Sequence, residues 1–167
     1  MKAFYSFPKA SLLLACTLAV LVSSCEKKES DRNDELLDGN ILKSESAYKN
    51  ALSTRGTNNG EVFTIEEIKR EGSSLTIRVL GGCSEESYRI IWNGLIAESH
   101  PAQVYLVLTH EPAGDICQTS EELTVTADLR KIVGEAAGSG DYIFHVANGS
   151  IRQDKSLNPD GSVSSEE

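Results

Sequence analysis

Ser74-Leu75-Thr76-Ile77-Arg78-Val79-Leu80 sets apolar side chains at 75, 77 and 79 with Thr76 and Arg78 between them. A period of two marks a pleated strand with one face buried and the other wet. The same spacing recurs along the chain. Tyr88, Ile90 and Trp92 alternate with Arg89 and Ile91, and Val104, Leu106 and Leu108 alternate with Tyr105, Val107 and Thr109. Leu123, Val125, Ala127 and Leu129 do so with Thr124, Thr126 and Asp128, and Tyr142, Phe144 and Val146 with Ile143, His145 and Ala147. Residues 62–69 read as a further strand, joined to 74–80 by a turn at Glu71-Gly72-Ser73. Asn93-Gly94 is the stronger hairpin signal, because both residues tolerate positive φ. Pro101, Pro112 and Gly114 punctuate the other joins. Six or seven antiparallel strands in about 100 residues predict an all-β fold, a small antiparallel β-sandwich with Greek-key or meander connections. A small β-barrel has nearly the same one-dimensional pattern and stands as the alternative.

The beginning of the chain has a different character. Lys2 and Lys9 precede an apolar run from Leu12 to Val22, and no acidic residue occurs before Glu26. That is the profile of a secretory signal, and its apolar part falls short of the about 20 residues a bilayer-spanning helix needs. Val22-Ser23-Ser24-Cys25 then places small residues before a thiol. These four residues resemble the lipobox of bacterial lipoproteins. The resemblance implies cleavage after Ser24 and a lipid-bearing Cys25 as the first mature residue, holding the protein to a bilayer through two or three acyl chains. Cys25-Glu26-Lys27-Lys28-Glu29 also resembles the export signals of Bacteroidota surface lipoproteins, although Lys28 interrupts the acidic pair. The implied location is the outer membrane, on its surface or its periplasmic leaflet.

Of the four cysteines, Cys16 falls in the signal and Cys25 in the lipobox, so Cys83 and Cys117 remain. In an oxidising compartment they are expected to form one disulfide, whose loop of about 34 residues would stabilise the fold by roughly 3–4 kcal/mol. Two reduced, separately buried thiols are the other reading. The expected organisation is a signal over 1–24, a flexible tether over 25–60, the β-sandwich domain over 61–153 and a disordered tail over 154–167. Within the tether, Leu36-Leu37 and Ile41-Leu42 with Tyr48 and Leu52 are the places where a short helix or strand would lie against the domain. The remainder, as in residues 26–35, is polar. Fully extended, thirty-odd tether residues would reach on the order of 100 Å.

From Cys25 onward the chain carries 14 Lys and Arg against 25 Asp and Glu, a net charge of −11. Such a balance disfavours nucleic acid, whose binding requires clustered cations. Catalytic signatures are scarce. No Gly-x-Ser-x-Gly elbow occurs, and Glu85-Glu86 and Glu121-Glu122 read as solvated pairs. His110, Glu111 and Asp115 share one turn-rich stretch, and His100 would have to converge with them to hold a metal. No His-Glu-x-x-His helix imposes that convergence. No cofactor, no metal and no enzymatic activity is expected.

Gly81-Gly82-Cys83, Trp92-Asn93-Gly94, Glu98-Ser99-His100-Pro101, Leu108-Thr109-His110, Asp115-Ile116-Cys117 and the strand at 123–129 together resemble the small NigD-like lipoproteins of the Bacteroidota, over roughly residues 60–150. The resemblance implies a β-sandwich-like domain behind a lipidated cysteine, with no established reaction. The expected function is therefore a membrane-anchored, non-enzymatic binding or accessory module. Its candidate binding residues are Trp92, His100, His110 and Asp115, lying in or beside the loops 96–103 and 109–116, and its partner is a protein or glycan. The plainer reading of Trp92 is core packing at a strand end, with a partly exposed aromatic for a glycan or protein partner as the other. Inhibition of a secreted protease is one alternative, and a weak metal-dependent hydrolase centred on His110 is another.

Overall fold

The computed structural model describes residues 34–57, 62–111 and 121–166. The signal and lipobox with Cys25, and the segment 112–120 with Asp115 and Cys117, lie outside the described residues.

Among the described residues, ten strands and two short α-helices follow in the order β1 (Glu35–Asp38), β2 (Ile41–Lys43), α1 (Glu45–Ser53), β3 (Thr64–Glu71), β4 (Ser74–Leu80), β5 (Tyr88–Ala97), β6 (Ala102–His110), β7 (Glu122–Asp128), α2 (Arg130–Val133), β8 (Tyr142–Asn148), β9 (Asp154–Leu157) and β10 (Val163–Glu166). They form a seven-stranded sheet ordered β1-β2-β5-β6-β8-β9-β10 and a three-stranded sheet ordered β3-β4-β7. The five strands expected from the alternation and the further one expected over 62–69 are present. The purely antiparallel sandwich is corrected, because β2 runs parallel to β5 and β6 parallel to β8. The barrel is corrected as well, since the two sheets stay separate. Parallel neighbours need crossover connections. Here α1 and β3–β4 intervene between β2 and β5, and β7 with α2 intervenes between β6 and β8.

The core lies between the two sheets. Ile65, Ile68, Leu75, Ile77, Val79 and Val125 meet Ile90, Leu106, Leu108, Phe144 and Val146, all fully or nearly fully buried. On the far side of the large sheet, α1 lays Ala47, Tyr48, Ala51 and Leu52 over Ile91, Val107 and Ala147. The molecule is thus three layers, helix, mixed sheet and small sheet, with β5, β6 and β8 apolar on both faces. Ser44 begins α1 by accepting a hydrogen bond from the Ala47 amide at 3.0 Å, which satisfies one of the donors a helix start leaves open. Arg55 closes the other end, its Nη1 donating to both carboxylate oxygens of Asp154 on β9 at 2.9 and 3.0 Å.

Residues 35–57, composed like a tether, therefore contribute two strands and a helix to the body. Residues 154–166, composed like a disordered tail, pair as β9 and β10 around the turn Asn158-Pro159-Asp160-Gly161. Within that turn the Asp160 carboxylate accepts from the Ser162 amide at 2.9 Å, and Leu157 is buried in the core. Asn148, 0% exposed, ties the sheets together. Its amide nitrogen donates to the Phe63 carbonyl at 2.8 Å while its oxygen accepts from the Ser150 amide at 2.8 Å.

Cys83 is the only cysteine among the described residues. It is not a free thiol, but its expected partner Cys117 lies outside them, so the described residues hold no complete disulfide. The expected Cys83–Cys117 disulfide is corrected to this extent, and Cys83 does not lie between the sheets. Cys83 is exposed in the loop after β4, at the end of the sheets, and the described fold is held by the core and the Asn148 tie.

Candidate functional site

Asn93-Gly94 is not a hairpin turn. Trp92 pairs with Leu106 and Ile96 with Val104, so Asn93, Gly94 and Leu95 bulge out opposite the single residue Tyr105. The positive φ of Gly94, 84°, serves that bulge, a common use of glycine inside a strand. The true turn follows at residues 98–101 and contains the cis His100–Pro101 bond. Hydrogen bonds hold this end of the hairpin from within. The Asn93 carboxamide oxygen accepts from the Leu95 amide at 3.0 Å, and the Trp92 indole donates to the Leu95 carbonyl at 3.0 Å. The Ser99 amide donates to the Ala97 carbonyl at 2.9 Å, and the Ser99 hydroxyl to the Pro101 carbonyl at 2.6 Å. Outside this frame stand Leu95, 63% exposed, and Ile96, 37% exposed.

A polar row crosses the α1 side of the large sheet. Tyr105, His145, Ser156 and Ser164 are register partners on β6, β8, β9 and β10. They lie one step along from the apolar row that α1 covers. Tyr105 and His145 stack with centroids 4.6 Å apart and planes 11° from parallel.

The hydrogen bonds of this row have a determined direction. A carbonyl only accepts, so Ser99 gives its proton to Pro101 and its oxygen accepts from Gln103 Nε2 at 3.0 Å. Gln103 Oε1 is thereby the acceptor for both the Tyr105 hydroxyl, at 2.8 Å, and His145 Nε2, at 3.1 Å. His145 consequently carries its proton on Nε2. In the neutral ring Nδ1 then accepts, and Ser156 donates to it across 2.7 Å. Burial lowers the His145 pKa from its ordinary 6.5, with the nearby Glu166 carboxylate opposing, so the neutral ring is favoured near pH 7.

The sequence candidates are scattered by the fold. Trp92 is 7% exposed and packs in the core, with the Lys43 ammonium 5.8 Å from its ring centroid. His100 is exposed in the turn before β6, and His110 ends that strand. The two imidazoles thus sit at opposite ends of β6, about 30 Å apart at ~3.3 Å per residue. His110 packs on Tyr88 with centroids 4.8 Å apart. The glycine pair folds over both rings, since a Cβ on Gly82 would stand 2.8 Å from His110 Nε2 and 2.9 Å from the Tyr88 hydroxyl. Gly81-Gly82 is thereby given a packing role. Asp115, like Cys25 and Cys117, lies outside the described residues. Among the described residues no three His, Cys, Asp or Glu side chains converge to hold a metal, and no helix is long and apolar enough to cross a membrane.

His145 and Ser156 escape the sequence because each occupies an ordinary polar position, and only the β8–β9 register joins them. The fold and site define a small three-layer domain with a mixed sheet, a bulged exposed hairpin and a polar row on one sheet face. No protein-family model matches the chain, and no curated protein or solved structure matches it.

Proposed function

We propose that the protein is an envelope lipoprotein, anchored in the outer membrane through acylated Cys25, that binds a protein partner with the bulged end of the β5–β6 hairpin. The observation that carries this reading is the bulge itself, which lifts Leu95 and Ile96 into solvent on a frame held by its own hydrogen bonds. A loop ordered before binding loses little conformational freedom when it binds. Loops on a rigid scaffold are a common seat of recognition. Aliphatic side chains favour a protein over a glycan, whose rings stack on exposed aromatic faces, whereas the Trp92 ring is buried. The lipobox resemblance at residues 22–25 supports the anchor.

Photo-crosslinking from position 95 in intact cells tests the loop. A discrete adduct that weakens at least tenfold in Ile96→Asp is expected, and equal, diffuse labelling with and without the substitution sinks the reading. Cys25→Ala should move the protein from the membrane to the soluble fraction.

A further inference from the structure

We propose that Ser156 is a reactive hydroxyl, activated by His145 and oriented through Gln103, that accepts the acyl group of small carboxylic esters at the α1 face of the large sheet. Four hydrogen bonds make the constellation. Ser156 donates to His145 Nδ1 at 2.7 Å, His145 Nε2 donates to Gln103 at 3.1 Å, and Gln103 is itself fixed by the Tyr105 hydroxyl and by Ser99. A nucleophile bonded to a base, with the base locked in one tautomer by a third group, is the arrangement that lets a serine attack. The chemical logic needs the order of roles, and either imidazole nitrogen can face the hydroxyl. Burial, which holds His145 neutral near pH 7, leaves its base form ready.

Ser156 is itself buried, 9% exposed, and the nearest space opens one row away along its strand. A cavity of about 350 Å³ is lined by Leu52, Arg55, Arg152, Asp154 and Glu166. Asp154 lies two residues before Ser156 on β9, and Glu166 two residues after Ser164, the β10 partner of Ser156. Side chains two apart share a face at about 6.6 Å spacing, so the cavity begins one row from the nucleophile. Its volume suits a short acyl or alcohol group, and Arg152 brings a guanidinium to its rim.

In the first step the Ser156 oxygen bonds to the ester carbonyl carbon as its proton passes to His145 Nδ1. The bond to the alcohol oxygen breaks, and the alcohol leaves with that proton. Water then gives a proton to Nδ1 and attacks the acyl-serine. The acid departs, and the proton returns to the Ser156 oxygen.

This chemistry lies on the sheet face and does not rest on the hairpin loop as a binding surface. The full mature chain, treated with a fluorophosphonate probe and read by intact mass and peptide mapping, tests it. One adduct on Ser156 is expected, absent in Ser156→Ala, retained in Ser164→Ala, and formed at least about 100-fold more slowly in His145→Ala. Hydrolysis of p-nitrophenyl acetate should follow the same order. If His145→Ala does not fold, His145→Asn takes its place with the same expected loss. No adduct at Ser156, or one that forms equally fast without the imidazole, overturns the proposal.

Discussion

Alternate residues of the same strands make the two faces of the large sheet, and the faces are built for different ends. Toward the small sheet, Ile90, Leu106, Leu108, Phe144 and Val146 are fully or nearly fully buried and packed. Toward α1, the apolar row of Ile91, Val107 and Ala147 gives way after one step to a hydrogen-bonded polar row in which Tyr105 and His145 are partly covered and Ser156 is buried. One face supplies cohesion. The other can carry polar groups because its partner is a nine-residue helix that covers part of it.

Substitutions should separate the two faces by size. Phe144→Ala on the inner face removes a fully buried ring, and a loss of about 3–5 kcal/mol is expected in urea unfolding. A loss below about 1 kcal/mol would mean that the sheets do not share a single tight core. Ser44→Ala loosens only the cover on the outer face by removing the α1 cap. About 1 kcal/mol should be lost, with hydrogen exchange quickening in residues 45–53 and unchanged in β4. The smallest effect belongs to the polar row. His145 has a folded-state pKa below 6.5, so the unfolded chain binds its proton first as pH falls. Its contribution is complete above pH 6.5 and is lost as pH drops from there through the folded value. The groups bearing on it are Glu166 of β10, which opposes the shift, with Tyr105, Gln103 and Ser156 in contact. Thermal unfolding of His145→Gln should show a shallower decline between pH 7 and 5 than the parent chain. Identical slopes would show that the imidazole does not sense its burial.

The five strands from β4 to β8 were legible because each carries an alternating run, β3 because a turn signal joins it to β4, and Leu36-Leu37, Ile41-Leu42, Tyr48 and Leu52 marked the places where the leading segment docks. Strand direction was not legible, since periodicity is the same for parallel and antiparallel neighbours. A trace of the third layer did exist. Ile91, Val107 and Ala147 break strict alternation, as strands covered on both faces do, and that break pointed to something lying over the second face. Asn158-Pro159-Asp160-Gly161 is a turn signal of the kind that joined 62–69 to 74–80, yet β9 offers one apolar residue in the core, Leu157, too little for a pattern. Asn93-Gly94 shows the opposite failure, a strong local preference for positive φ spent on a bulge inside a strand. The Ser156–His145 contact depends on register between strands, which no local pattern encodes.

The first described strand begins at Glu35, and this sets how far the body can travel from the proposed acyl anchor at Cys25. Ten residue-to-residue steps separate the two, so the leash is at most about 36 Å at ~3.6 Å per step, a third of the reach that the composition of the leading segment suggested. If Cys25 is the anchor, a mooring that short would keep the domain within roughly its own diameter of the leaflet, and it would meet only neighbours that drift past in the same bilayer or stand close above it.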